Sequence, residues 1–253
     1  MEYKKRLIFK INKLKKDYKS NNILKINKLD IHPGTIYGII GTVGSGKSTL
    51  LNILAGFEKQ TSGTILYDNK VFKKNWMGKI IPEENIFYSK DPIINGRRKT
   101  VSSYVSNYFK KKKNIIENRY FNKNSTKNMW NRNISDISAG ELNWLGMILA
   151  CEVDPRVLLI DDYGMYFNNS MEKDFRSQII KMNRRLGTTI ILTAPSELYL
   201  KHFASVMIFL DQGHISKIRT GNLKTTNRKQ IRNKNHKRSN NRSRKKHRAR
   251  KQD

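Results

Sequence analysis

Cysteine is almost missing from these 253 residues: Cys151 stands alone, so no disulfide framework can form and a reducing compartment is expected. Long apolar runs are missing too. No stretch approaches the ~20 apolar residues that cross a bilayer. Residues 1–19 interleave lysines with single apolar side chains and lack the apolar core of a signal peptide. A soluble chain is expected, one that can still dock on a membrane protein. Acids are scarce, 20 Asp and Glu against 51 Lys and Arg, for a net charge of +31. Residues 221–253 hold 14 of those bases and one acid, leaving 37 bases and 19 acids on residues 1–220, so the body is basic as well as its end. The five histidines show no metal-ligand spacing with Cys151 or with one another, and no Ser/His/Asp or Cys/His arrangement stands out. The length suits one sizeable domain plus a tail.

What the chain does have is Gly41-Thr42-Val43-Gly44-Ser45-Gly46-Lys47-Ser48-Thr49, which fits G-x-x-x-x-G-K-[ST]. It lies between Thr35-Ile36-Tyr37-Gly38-Ile39-Ile40, short, apolar and partly β-branched as a buried strand is, and a helix-forming stretch that stops at Gly56. Glycines in such a loop let backbone N–H groups turn inward around a phosphate. The helix N-terminus adds partial positive charge, and Lys47 reaches the outer phosphates. Ser48 would place its hydroxyl on a magnesium ion. The stretch is read as a nucleotide phosphate site.

Upstream, the segment from Lys10 to Ile31 reads as the entry to an antiparallel sheet, with a turn after Tyr18. Tyr18 is either a strand aromatic or a platform for an adenine ring. Lys79-Ile80-Ile81-Pro82 reads as a short strand running into a loop at Glu83-Glu84-Asn85. Residues 83–140 read as a small, mostly helical insertion in which the Asn- and Lys-rich stretch 114–133 is a poor core former. Ser138 and Glu141 form a capping box that opens a long helix. Arg156-Val157-Leu158-Leu159-Ile160-Asp161-Asp162 is an apolar strand ending in two acids. In an α/β sheet such a strand delivers carboxylates to the ligand crevice at its C-terminal edge. Asp161 would hold magnesium, and Asp162 would orient or deprotonate a water.

This order of motifs resembles the nucleotide-binding domain of the ATP-binding cassette (ABC) superfamily, over about residues 10–220. The resemblance implies an α/β fold: a P-loop NTPase core with an antiparallel β subdomain and a small helical subdomain, on residues 1–220. It implies that the phosphate loop is Walker A and that Val157 to Asp161 is Walker B. Ile137-Ser138-Ala139-Gly140-Glu141 is then the signature, with Ser138 and Gly140 closing over the ATP of a second subunit. Tyr18 becomes the adenine-stacking aromatic, and Phe203 to Ile215 the closing strand pair. The Q-loop position falls on Glu83, which joins Asp162 among the catalytic residues. ATP and Mg2+ are the implied cofactors.

The chain departs from the family pattern in places. Asp162 stands where the family has a glutamate, Ala194 where it has the switch histidine, and Asn168 where it has the D-loop aspartate. Losing positioned groups costs roughly 10²–10⁴ in rate for acid–base roles, so nucleotide binding is expected to survive and fast hydrolysis is in question.

The resemblance implies the ATP-binding subunit of a transporter. It would pair as a homodimer, or as a heterodimer with another such subunit, and drive a separate membrane-spanning subunit from the inner face of the membrane. The alternative is a non-transport cassette protein, a slow or inactive nucleotide switch. The tail 221–253 is too polar to order itself. It would attract RNA, DNA or ribosomes, or anionic lipid, or serve solubility alone.

Overall fold

The computed structural model describes residues 6–122 and 124–221, so the basic tail lies, from residue 222 onward, outside the described residues. Strand β1 (Phe9–Tyr18) turns through Lys19 and Ser20 into β2 (Asn21–Ile31), and the pair is antiparallel throughout. After β3 (Ile36–Ile40) and helix α1 (Lys47–Leu54) come β4 (Ser62–Tyr67) and β5 (Lys70–Val71), which complete an antiparallel sheet of order β2-β1-β4-β5. Then come β6 (Ile86–Tyr88) and a run of helices: α2 (Asp91–Gly96), α3 (Val101–Tyr108), α4 (Lys113–Tyr120), α5 (Asn124–Lys127) and α6 (Ala139–Val153). The chain closes with β7 (Val157–Ile160), α7 (Asn169–Leu186), β8 (Thr189–Ala194), β9 (Val206–Asp211) and β10 (His214–Thr220).

The second sheet has the order β10-β9-β3-β8-β7-β6. The five strands from β9 to β6 are parallel, and β10 joins β9 through a hairpin at Gln212 and Gly213, both with positive φ. Parallel strands are covered on both faces, which is why β3, β7 and β8 read as unbroken apolar runs. Their period-two alternation then sorts side chains into two cores. Ile36, Ile40, Leu158, Ile160 and Leu192 face the core shared with the helices. Tyr37, Ile39, Val157, Leu159 and Ile191 face the core shared with the antiparallel sheet and α1. Arg156 bolts the two sheets together, its guanidinium gripping the carboxylate of Asp68 with two bonds of 3.0 Å.

Three local expectations change. The segment 79–82 is no strand: only an isolated bridge joins Ile80 to Lys74, Ile81 is exposed, and Pro82 has no N–H to give a ladder. The strand that pairs with β7 is instead β6, every residue of it buried, so the helical segment begins at Asp91 and not at 83. Residues 114–133 also build core. Ile116, Phe121, Met129 and Trp130 are all buried, and Phe121 packs on Trp130 with ring centroids 4.6 Å apart. Their few apolar side chains are spaced to meet on one side, which the surrounding Asn and Lys conceal.

Two buried acids fasten the helices. Asp91 accepts from Tyr104 and Asn95. Glu152 in α6 accepts from Arg119 and, at 2.9 Å, from Tyr120, both in α4.

Candidate functional site

The loop 41–46 leaves the end of β3 and turns straight into α1. A Cβ on Gly41 would lie 2.2 Å from the carbonyl oxygen of Leu210, so only glycine fits there. Gly46, the residue before α1, has φ of 96° and rests on Leu24 and the carbonyl of Ile23, where a Cβ would collide. Val43 is the exposed tip, flanked by Thr42 and Gly44, and Ser48 and Thr49 form the first turn of the helix. No side chain caps α1 and no acid sits in its first turn, so its N–H groups and positive dipole end are open to an anion. The Lys47 side chain folds back over the loop and donates to the carbonyls of Gly41 at 2.7 Å and Thr42 at 2.8 Å. Burial pulls its ammonium below the ordinary 10.5, against the opposing pull of Asp162 and Asp161. The buried Ser45 hydroxyl has no hydrogen-bond partner among the described residues.

Facing the loop, β7 ends in Asp161 and Asp162. Asp161 is fully buried. Its Oδ1 accepts from the Thr193 hydroxyl at 2.5 Å, and its Oδ2 accepts from the Tyr88 hydroxyl at 3.1 Å and from the Lys90 ammonium. Ser48 lies near this carboxylate and helps to keep it charged. Burial works against the charge, yet Lys90 and the hydroxyls outweigh it and hold the Asp161 carboxyl below its ordinary 3.8. Lys90 reaches Asp162 as well, at 3.3 Å. Burial would lower its pKa, but the two acids raise it, so it is an ammonium. Asp162 takes a left-handed φ of 53°, its N–H donating to Thr193 Oγ1 at 2.9 Å.

The magnesium expectation for Ser48 and Asp161 meets a carboxylate already engaged by other donors. Ser48 lies near Asp161; a carboxylate offers about four acceptor positions, and donors from Lys90, Tyr88 and Thr193 take three of them. A hard divalent ion needs several free oxygen ligands. The donor set does not fit one while Lys90 is in place. Among the described residues no group of three or more His, Cys, Asp or Glu could hold a metal.

Tyr18 stands at the end of β1, its hydroxyl donating to Glu58, with Thr49 of the phosphate-loop helix nearby. Lys16 lies over its ring, 4.8 Å from the centroid. Ser138 and Gly140 open α6: both halves of the capping box form, with Ser138 N–H on Glu141 at 2.7 Å, and Gly140 lies against Tyr166. No hydrogen bond described joins them to the phosphate loop. Glu83 is not brought to the site. It precedes β6, at the N-terminal edge of a strand whose C-terminal end leads to Lys90, and its charge is felt by Tyr67 instead. Ala194 ends β8, fully buried, and its carbonyl accepts from Gly41 N–H at 3.4 Å. Asn168 caps α7, accepting from Met171 N–H at 2.9 Å.

Sequence reasoning missed Lys90, Tyr88 and Thr193. The signal for Lys90 was present: Ile86-Phe87-Tyr88 is an apolar triplet followed by polar Ser89-Lys90, the pattern that exposed Asp161.

A family model described as ABC transporter matches residues 24–163. The chain is 25% identical over 227 residues to the spermidine/putrescine import ATP-binding protein PotA of Mesoplasma florum, covering 84% of this chain but only 61% of that protein. It is 26% identical over 211 residues to the lantibiotic transport ATP-binding protein SrtF of Streptococcus pyogenes, covering 82% of this chain and 89% of that one. Among solved structures, cbiO1 from Clostridium perfringens superposes with a TM-score of 0.65 at 20% identity, over 85% of this chain and 89% of its own. A dimeric ATP-binding cassette in a post-hydrolysis state with ADP and phosphate gives 0.68 at 19% identity, over 84% and 98%. With the family model spanning more than half of its length, this chain belongs to the ABC transporter family.

Proposed function

We propose that this chain is an ATP-binding subunit of an ABC transporter and that its nucleotide site is the loop 41–49 facing Asp161 and Asp162. The observation that carries the reading is the open N-terminus of α1, with Lys47 held on carbonyls of its own loop. An incoming nucleotide offers those donors what they lack. Its phosphates accept from the N–H groups of the loop and first turn, and Lys47 exchanges two neutral carbonyls for phosphate oxygens. In this reading Tyr18, near Thr49, is the aromatic that takes the base.

Ser138 and Gly140 lie on the far helix α6 and make no described contact with the loop, which suits a site completed by a second subunit. Homodimer and paired heterodimer are both open to it. No helix among the described residues is long and apolar enough to cross a membrane, so transport would need a separate membrane-spanning subunit, with this chain peripheral at the cytoplasmic face. The comparisons lend no support to a nucleic-acid partner.

Hydrolysis, in this reading, is slow. Asp162 is the acid nearest an attacking water, and Lys90 engages it. Ala194 offers no donor to a γ-phosphate. Titration with a fluorescent ATP analogue tests the proposal: Lys47→Ala should lose tight binding, and unchanged affinity would overturn the site.

A further inference from the structure

Among the described residues, Lys90 is the one cation that touches both acids at the end of β7. An ammonium has three N–H donors. Two are directed to Asp161 and Asp162, and the third remains for an oxygen brought in between them and the phosphate loop. Lys47 senses the charge of Asp161, Asp162 and Lys90 together, so the four groups share one small site. The site is balanced without any ion: two ammonium groups against two carboxylates.

Resting on the nucleotide-site reading above, we propose that Lys90 stands in for the divalent cation and that this chain takes its nucleotide as the metal-free polyphosphate. The acids repel the phosphates. An ordinary hard-ion site solves this by placing a divalent cation between the two, at a position built from oxygen ligands. Here the Lys90 ammonium fills that position from within the chain. It occupies a lone pair of Asp161 Oδ2 that a metal would use, and Tyr88 and Thr193 take two more. A lysine is a compact point charge on a flexible stem, suited to this exchange of partners. Its attachment at the end of β6, one residue past the buried Ser89, fixes the reach of that stem.

The test is binding of a fluorescent ATP analogue to the full-length chain in excess Mg2+ and in EDTA, with Mn2+ followed by electron paramagnetic resonance in the presence of ADP. For the native chain the dissociation constant should change by no more than about threefold between the two buffers, and Mn2+ with ADP should give no bound-ion signal. Lys90→Gln exposes both acids to the phosphates. It should bind about tenfold or more weakly in EDTA, recover with Mg2+, and give the Mn2+ signal. Lys90→Arg keeps the charge and should behave as the native chain does. If Lys90→Gln fails to fold, the native and Lys90→Arg measurements decide. A native chain that loses more than about tenfold in EDTA, or binds Mn2+ with ADP, overturns this inference and leaves the nucleotide site standing. Absence of binding in both buffers overturns the nucleotide site, and this inference with it.

Discussion

The hydroxyl of Thr193 donates to Oδ1 of Asp161 at 2.5 Å, tying β8 to β7 at the edge where the acids emerge. The Thr193 hydroxyl oxygen also accepts from the Asp162 N–H, so one side chain positions the Asp161 carboxylate and the Asp162 backbone.

Replacing Thr193 with valine keeps the shape and deletes that oxygen. It leaves the Asp162 amide and a buried carboxylate each short of a partner, and the cost expected is about 1–3 kcal/mol. Urea denaturation should show the loss, and Thr193→Ser should recover most of it. Equal stability of the valine and serine variants would mean that the hydroxyl is dispensable.

Steady-state turnover should be low, and Asp162→Asn should remove what turnover there is, since an amide cannot take a proton from water; the loss of a positioned base is worth roughly 10²–10⁴. Turnover unchanged by Asp162→Asn would place the chemistry elsewhere.

Glu152 fastens α4 to α6 through Arg119 and Tyr120. Glu152→Ala should cost about 0.5–1.5 kcal/mol, because the part-buried Tyr120 hydroxyl and the exposed Arg119 lose their acceptor. Burial first and the bond to Glu152 second push the Tyr120 phenol up to about 12. An ultraviolet pH titration should therefore find that phenol ionising at lower pH in the variant. An unmoved titration would show that the contact does not persist in solution.

The capping box of α6 titrates. The Ser138 N–H, ahead of smaller contributions from Ser138 Oγ and Arg132, holds the Glu141 carboxyl below its ordinary 4.5. A lowered folded value means stability that is present above 4.5 and is lost as pH falls through the folded pKa. Glu141→Gln keeps both capping bonds but cannot titrate. The variant should be somewhat less stable than the parent at neutral pH and show a shallower loss of stability as pH falls below 4.5. Parallel denaturation profiles of variant and parent would rule out the carboxylate as a source of the slope.

Much of this was legible in the chain itself. Loop 41–49 announced itself because glycine spacing, a buried strand and a following helix all pointed the same way. Asp161 and Asp162 followed from an apolar run that ends in charge. Glu83 misled because Pro82 and two acids resemble a family pattern more strongly than Ile86-Phe87-Tyr88 resembles a strand at three residues. Register on the sheet, which only pairing with β7 reveals, decides in favour of Lys90. Thr193 carried no local signal, since a threonine in a β-branched strand is unremarkable until its neighbour across the ladder is known. The core residues of 114–133 were hidden by composition, which counts side chains without regard to the direction they face.

Lys90 and Asp91 are consecutive, yet they serve different parts of the molecule. The first is clasped by the acids of the nucleotide site, and the second is sunk among Tyr104 and Asn95 at the foot of the helices. A single peptide unit therefore joins the nucleotide site to the anchor between α2 and α3. A phosphate oxygen taken up by the remaining N–H of Lys90 would thus lie one residue from that anchor, with no intervening loop between them.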